Sequence, residues 1–224
     1  MKYYFIAGHG ENDPGAVSHL DGRTYRERDL ACTLVSRICQ LTGAEHYTFE
    51  KDAYRHTEEL AAAIPTDVTH VVEIHFNAFV NQTVRGTEVY LVDKTVDIPA
   101  KQLAESISTA LETANRGVKY TAFKVISKLK ALGLHACLLE TAFVTSTYDM
   151  QHYDVDKAAY AIINALGLRV INSAPAPTAE RWSDTYMERV KKLGIMTDGR
   201  PTDPVTREEL AAVICRTLDV IGNG

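Results

Sequence analysis

Four residues in the first 140 positions are of the types that hydrolytic metal sites use: His9, Glu27, His75 and Glu140. Zinc accepts imidazole nitrogen and carboxylate oxygen at about 2.0–2.2 Å, and a catalytic site keeps one position for water. The ion lowers the pKa of that water to about 7 and polarises a carbonyl. A further carboxylate then carries a proton to the leaving group, and Glu140 is the candidate. Residue types alone leave structural histidines as an alternative, because eight histidines produce such sets by chance.

The elements that must position these residues follow from hydrophobic periodicity over residues 1–171. Strands are predicted over 2–7, 69–76, 86–92 and 136–140, and helices over 26–41, 101–113 and 154–166. The stretch 8–25 is rich in Gly, Asp, Asn and Ser and is predicted to be a loop. Strands that alternate with helices predict an α/β sheet with helices on both faces.

The four candidate residues occupy comparable places in these elements. His9 follows the first strand between two glycines, which permit a tight turn. His75 and Glu140 end two of the predicted strands, and Glu27 lies at the start of the first helix. Because ligands of α/β proteins bind outside the carboxyl ends of strands, we expect these residues at one edge of the sheet.

A second, smaller unit is predicted after the α/β domain. Residues 172–180 contain two prolines and no regular pattern, so they are predicted to be a linker. Residues 181–224 carry two apolar helix faces, and a T-x-x-E capping box at Thr206 begins the second. The sequence therefore predicts a helix-turn-helix module, which is small for a core of its own.

Charge and composition disfavour several classes of protein. The net charge of -5 does not suit a nucleic-acid binder, which usually presents a basic face. No run approaches the roughly 18 apolar residues of a membrane span, so no membrane partner is expected. The N-terminus lacks the features of a signal peptide, which predicts that the chain is not exported by the standard route. The four scattered cysteines are expected to be buried, reduced thiols.

Five motifs between residues 5 and 149 resemble the zinc-dependent N-acetylmuramoyl-L-alanine amidases of bacterial wall metabolism and phage lysis. In the family's order they read IAGHGENDPGA, RERDLA, VVEIHFNA, GTEVYL and LLETAFVTSTYD. The resemblance implies a mixed, largely parallel sheet flanked by helices. It also implies cleavage of the peptidoglycan amide between N-acetylmuramic acid and L-alanine, with Zn²⁺ as cofactor. His9, Glu27 and His75 would be the zinc ligands, and Glu140 the catalytic carboxylate.

The chain departs from the family pattern around the second histidine. The family usually has a small residue where Glu73 stands, and strand alternation places Glu73, His75 and Asn77 on one side. Glu73 is expected either to orient a ligand histidine by accepting a hydrogen bond from its ring N–H or to be an ion-paired structural carboxylate. Asn77 is expected to be either a donor to substrate or a structural amide.

A second departure follows Glu140. Ala142 and Ser146 replace the Gly and Asn of the family pattern, so the loop beyond the carboxylate is expected to differ from the family's. Ser146 is expected to cap a helix there.

The C-terminal module resembles one unit of an S-layer homology module, through WSDTYMERVKKLGIMTDG and DPVTREELAAVICRTL. Such modules bind secondary cell-wall polymers, usually as three units around a shared centre. With one unit present, we expect either a homo-oligomer that assembles several copies or a domain that only packs. Arg207 is the matching candidate for polymer contact, with a surface charge as the alternative.

Together these features predict an endolysin-like peptidoglycan hydrolase. Its parts would be a zinc amidase domain at 1–171, a linker at 172–180, and a wall-binding or oligomerisation module at 181–224. It would wait in the host cytoplasm until lysis, or else be a bacterial cell-wall enzyme. Two other functions stay open: a zinc peptidase of the same fold, and a catalytically decayed wall-binding protein.

Overall fold

The central feature is a six-stranded sheet with the strand order β4-β1-β5-β8-β6-β7. It is described from a computed structural model that covers residues 1–10 and 12–171. These residues belong to one compact unit. The predicted linker at 172–180 and module at 181–224, with Arg207, lie outside the described residues, so those expectations stay predictions. No helix in the described ranges is both long and apolar enough to cross a membrane.

The described residues form eight strands and six helices. The strands are β1 (Tyr3–Ala7), β2 (Val17–Leu20), β3 (Arg23–Arg26), β4 (Glu45–His46), β5 (His70–Asn77), β6 (Thr87–Leu91), β7 (Asn115–Tyr120) and β8 (His135–Phe143). The helices are α1 (Glu27–Thr42), α2 (Thr57–Ala63), α3 (Ala100–Ala110), α4 (Lys124–Ala131), α5 (Thr147–His152) and α6 (Val155–Ala165).

The strand directions confirm the expected mixed, largely parallel sheet. Strands β4, β1, β5 and β8 are parallel, whereas β6 runs antiparallel to β8 and parallel to β7. The carboxyl ends of β1, β5 and β8 therefore meet the amino ends of β6 and β7 at one edge. We call this edge the site edge.

Helices cover both faces of the sheet, as expected. Helices α1, α3 and α6 pack on one face, through Leu34, Ile107 and Ile162 against Phe5 and Ile74. Helices α2 and α4 pack on the other face, through Leu60 and Leu129 against Ile6 and Val71. Strands β1 and β5 are buried on both faces, which is why their sequences are nearly continuous apolar runs.

The predicted loop at 8–25 is wrong in part, because it contains the hairpin β2–β3. Asp21 and Gly22 form its turn with φ of 49° and 75°. Positive φ at both central residues is typical of the type I′ turn that Asp-Gly favours, so the sequence held a hairpin signal. The strands have only four residues each, and half of β2 and most of β3 are exposed, which left little hydrophobic pattern to detect.

Other elements were not expected from the sequence. No residue of the edge strand β7 is buried, and its sequence, NRGVKY, has one branched apolar residue. Helices α2, α4 and α5 are short, with six to eight residues each. Among the described cysteines, Cys137 is buried as expected, whereas Cys32 and Cys39 are only partly buried. Cys215 lies outside the described residues.

The loop beyond β8 is held by a capped helix. The Ser146 hydroxyl accepts a hydrogen bond from the Asp149 backbone N–H at 3.2 Å, which confirms its expected role as N-cap. The buried Asp149 carboxylate in turn accepts from the backbone N–H groups of Gly86 and Phe143, at 2.9 and 2.8 Å. These contacts tie the end of β8 to the start of β6.

Candidate metal and catalytic site

Three side chains that are distant in sequence converge at the site edge. One ligand atom from each of His9, Glu27 and His75 lies within 4.8 Å of the others. His9 follows β1, Glu27 is the first residue of α1, and His75 lies near the end of β5. The structure therefore brings together the three residues that the sequence singled out as a ligand set.

The Glu27 carboxylate lies between the two imidazoles. Its Oε2 is 3.1 Å from His9 Nε2, and its Oε1 is 2.8 Å from His75 Nδ1. The backbone N–H groups of Ala16 and Phe76 donate to the same two oxygens, at 2.9 and 3.2 Å. Its place in the first turn of α1 also favours a negative charge. Five neighbouring groups, counting the helix end, thus hold this carboxylate in one position.

The electrostatics of this cluster favour positive charge between its members. Burial raises the pKa of Glu27, but hydrogen bonds with His75 and His9 outweigh burial and hold that pKa well below its usual range. Burial lowers the pKa of each histidine, but the contacts with Glu27 outweigh it and raise the pKa of His9, and those with Glu27 and Glu73 raise the pKa of His75 well above its usual value. A bound divalent cation supplies such charge, and two imidazoles with one carboxylate are a donor set that suits zinc.

His9 is oriented from behind by Asp13, which the sequence reasoning did not single out. The Asp13 Oδ2 atom is 3.4 Å from His9 Nδ1, and Oδ1 accepts from the Gly15 backbone N–H at 3.0 Å. The N-D-P-G sequence is a turn signal that could have indicated this residue. A carboxylate on the far ring nitrogen fixes the ring and leaves Nε2 facing Glu27.

The glycines around His9 serve close packing more than backbone conformation. His9 itself has the left-handed φ, at 65°, whereas an ideal Cβ on Gly8 would lie 2.3 Å from His75 Cε1. Non-glycine residues with positive φ are uncommon and cluster at functional sites. A side chain at position 8 would occupy the space of the His75 ring.

Gly8→Ala is therefore expected to displace His75 and to lower zinc affinity by about 10–100-fold, the range for perturbed ligand support. Calorimetric titration of the purified variant with zinc measures this change in affinity. Gly133→Ala is the control: its added Cβ meets no atom within 4 Å, and its strain at a φ of 85° should lower stability without changing zinc affinity. If Gly8→Ala binds zinc as tightly as the wild type, position 8 does not constrain the histidine.

Glu140 lies directly across from His75, since the two are partners in the β5–β8 register. Both line a cavity of about 520 Å³ at the site edge. Strand β8 continues to Phe143, so Glu140 lies within the strand and does not end it as predicted. Its Oε2 is buried without a hydrogen-bond partner among the described residues, and burial raises its pKa to about 7. Such a carboxyl group can accept and return a proton near neutral pH.

Glu73 is buried and faces His75 from the same strand. Its Oε1 is 3.3 Å from His75 Nε2, while Oε2 has no hydrogen-bond partner within the described ranges. Its ion-pair partner among the described residues is His75 and not a lysine or arginine. The geometry thus allows Glu73 to orient the ring of His75.

Asn77 has its polar atoms engaged within the protein. Its Nδ2 donates to Glu88 Oε1 at 2.8 Å, and its Oδ1 accepts from the Ala78 backbone N–H at 2.8 Å. It lines the same cavity as Glu140. Its contacts join the wall of the cavity to Glu88 on β6.

Glu88, part of the GTEVYL motif, forms an ion cluster that sequence reasoning missed. The carboxylate is 1% exposed, and Oε2 accepts from Arg116 Nε at 2.6 Å and from Lys119 Nζ at 2.5 Å. Oε1 accepts from Asn77 and from the Tyr90 hydroxyl, which lies at 2.8 Å. The cations come from β7, a strand without a clear sequence pattern.

Glu88→Gln is expected to lower the free energy of unfolding by about 2 kcal/mol at pH 7, because hydrogen bonds to a charged group are lost. Burial raises the Glu88 pKa, but the bonds from Lys119 and Arg116 outweigh it and lower that pKa below its usual 4.5. A carboxyl group whose pKa is lower in the folded than in the unfolded state stabilises the fold at pH values above its unfolded pKa. This contribution is lost as the pH falls through the folded pKa. Urea unfolding should therefore show the gap from wild type closing below about pH 4.5. Exposed Glu105→Gln is the control, and a pH-independent gap would contradict the argument.

Comparisons with known proteins agree with this architecture. A model of the N-acetylmuramoyl-L-alanine amidase family, Amidase_3, matches residues 4–168. The N-acetylmuramoyl-L-alanine amidase LytC of Bacillus subtilis strain 168 is 31% identical over 172 residues, which cover 69% of this chain. This chain spans 32% of the length of LytC. The uncharacterized protein YqiI of the same organism is 29% identical over 176 residues, covering 73% of this chain and 82% of YqiI.

A crystal structure of an N-acetylmuramoyl-L-alanine amidase from Clostridium difficile 630 has a similar fold. The TM-score is 0.62 at 23% identity, over 73% of this chain and 94% of that one. The family model covers well over half of the chain, including every residue of the converged cluster. The chain therefore belongs to the N-acetylmuramoyl-L-alanine amidase family Amidase_3.

Proposed function

We propose that the chain hydrolyses the amide between N-acetylmuramic acid and L-alanine in bacterial peptidoglycan, with Zn²⁺ as cofactor. The observation that carries this proposal is the convergence of His9, Glu27 and His75 beside Glu140 in one cavity. Membership of the amidase family supports the choice of substrate. An intact set of metal-binding and proton-carrying side chains also argues against a decayed, non-catalytic protein.

The proposed mechanism assigns separate tasks to the converged residues. His9, Glu27 and His75 would hold zinc, which when bound polarises the amide carbonyl and lowers the pKa of water. Glu140 takes a proton from the attacking water and delivers it to the departing amine of L-alanine. Its position opposite His75, with one buried oxygen unpartnered among the described residues, suits this transfer. Asp13 keeps His9 in one orientation.

Digestion of defined peptidoglycan tests this proposal. The enzyme should release equal amounts of free muramic lactyl carboxyl groups and free L-alanine amines, and a chelator should stop the release. New termini at another bond, such as one within the stem peptide, would instead identify a zinc peptidase. Absence of any new termini in zinc-loaded protein would overturn the proposal.

Within this proposal Glu73 is a positioning residue for His75. Glu73→Gln is expected to lower zinc affinity or kcat/KM by about 10–100-fold, because the charge that holds the ring is lost. Zinc calorimetry and rates with the loaded enzyme measure the two effects separately. Glu58→Gln is a matched control, since that carboxylate is exposed on α2 and pairs with Lys128. If Glu73→Gln loses stability alone, with zinc binding and rate unchanged, Glu73 is a structural carboxylate.

The same proposal includes an endolysin-like role and wall binding through residues 181–224. These residues lie outside the described part, so the support here is the sequence alone. Arg207→Ala in the full chain should reduce co-sedimentation with purified walls if Arg207 contacts a wall polymer. Genome context separates a phage lysin from a bacterial wall enzyme, because the two share their chemistry.

A further inference from the structure

A second cavity, of about 350 Å³, adjoins the catalytic cavity at the site edge. Its polar lining includes Glu88, Tyr90, Arg116 and Lys119. Asn77 lines both cavities, so the two share a wall. None of the polar residues on β6 and β7 has a task in the mechanism proposed above.

The charges in this second cavity do not cancel. Arg116 and Lys119 share the single carboxylate of Glu88, which leaves one net positive charge. Both cations are accessible, because their side chains are 33% and 38% exposed while Glu88 is buried. The Arg116 contact uses Nε, and no hydrogen bond to a described residue engages its terminal Nη atoms. Guanidinium groups bind carboxylates with such free N–H groups.

The cluster also lies at a defined distance from the proposed reaction centre. Glu88 pairs with Glu140 in the β6–β8 register, and Glu140 pairs with His75 in the β5–β8 register. Two strand spacings of about 4.8 Å therefore separate His75 from Glu88, roughly 10 Å in all. An extended peptide covers about 3.3–3.6 Å per residue, so two stem residues span about 7 Å. A charge-assisted hydrogen bond of about 2.8 Å from the carboxylate of the second residue would cover the remaining distance to this cluster.

We infer that Arg116 and Lys119 form a subsite for the free α-carboxylate of the second stem residue, the γ-linked glutamate that follows L-alanine. This inference rests on the proposed amidase function. Glu88 acts as a positioning residue, because its buried carboxylate holds both cations in place. The guanidinium of Arg116 lies over the Phe143 ring, with Cζ 5.1 Å from the ring centroid, which supports its position.

Two other cations line the catalytic cavity: Arg55, which pairs with Asp52 at 3.5 Å, and Lys124. The Lys124 ammonium group already donates to the Tyr54 carbonyl at 2.6 Å and lies over the Tyr54 ring. It has no place in the Glu88 cluster. The favoured carboxylate partners are thus Arg116 and Lys119, and Lys124 becomes a comparison in the test.

Two matched substrates test the inference: a muramoyl tripeptide with the glutamate α-carboxylate free, and the same compound with this group amidated. Wild-type enzyme should have the higher kcat/KM on the free carboxylate. Lys119→Met and Arg116→Met should each reduce that preference by about tenfold, the lower end for hydrogen bonds to charged groups at a partly exposed site. Most of the change should be in KM. Lys157→Met is the control, because it removes the same charge from an exposed position on α6.

Binding provides a readout that does not need cleavage. Calorimetry with the zinc-loaded Glu140→Gln variant should show tighter binding of the carboxylate compound, and Lys119→Met in that background should weaken it. Cleavage of both substrates at equal kcat/KM, or a preference that only Lys124→Met removes, would overturn the subsite. Failure of the wild type to cleave either compound would contradict the amidase function itself, and the calorimetric comparison would then still decide the subsite.

Discussion

Glu140→Gln should reduce kcat/KM on peptidoglycan by about 10³-fold while the protein still binds one zinc ion, within the range of 10²–10⁴ for general acid–base catalysis. Glutamine keeps the shape of the side chain but cannot take the proton of the attacking water. Glu140 stands across from His75, and its pKa, raised to about 7 by burial, lies near neutral pH. Rates on soluble muramoyl peptides and metal analysis of the same preparation measure the two properties together.

Zinc binding distinguishes the two roles that Glu140 could have. Replacement of a proton carrier leaves zinc bound, whereas replacement of a zinc ligand weakens zinc binding. Glu58→Gln, which changes an exposed carboxylate on α2, is the control for the loss of one negative charge. Burial disfavours the charged form of Glu140, as its raised pKa shows. Replacement by a neutral glutamine should therefore not lower the free energy of unfolding. Wild-type lysis by Glu140→Gln would show that another group moves the proton.

His75→Ala should abolish stoichiometric zinc binding, with an affinity loss above the 10–100-fold typical of residues that only support ligands. His75 contacts Glu27 on one side and Glu73 on the other, so its removal leaves carboxylates facing each other without the positive partner. Activity should fall with the metal. A chelator should also remove zinc and activity from the wild type. Added zinc should then restore activity to the wild type but not to His75→Ala.

Thermal unfolding gives a second measure of the same prediction. A ligand at 100 times its Kd stabilises the folded state by about 2.7 kcal/mol, so zinc should raise the wild-type Tm by several degrees. His75→Ala should lose this zinc-dependent shift whatever its own Tm. His19→Ala is the control, since His19 is exposed on β2 and bonds to Thr24. An unchanged zinc-dependent shift in His75→Ala would remove this residue from the ligand set.

The sequence determined much of the α/β domain of this protein without help from a structure. The apolar runs at 2–7 and 69–76 predicted strands, and the structure has β1 and β5 there, buried on both faces because water contacts neither side of a central parallel strand. Since parallel strands share one carboxyl edge, the positions of His9 and His75 after such runs predicted that they would meet. Ser146 was predicted as a cap because a side-chain oxygen before a helix satisfies a free N–H group.

The tertiary structure alone decided which further side chains surround that cluster. Asp13 reaches His9, and β7 brings Arg116 and Lys119 to Glu88, only because the chain folds back on itself. Exposed edge strands carry little hydrophobic pattern, so their sequence does not indicate where their charges end up. Periodicity in a sequence records which residues avoid water. Contacts between polar groups depend on strand order and register, which are set by packing over the whole domain.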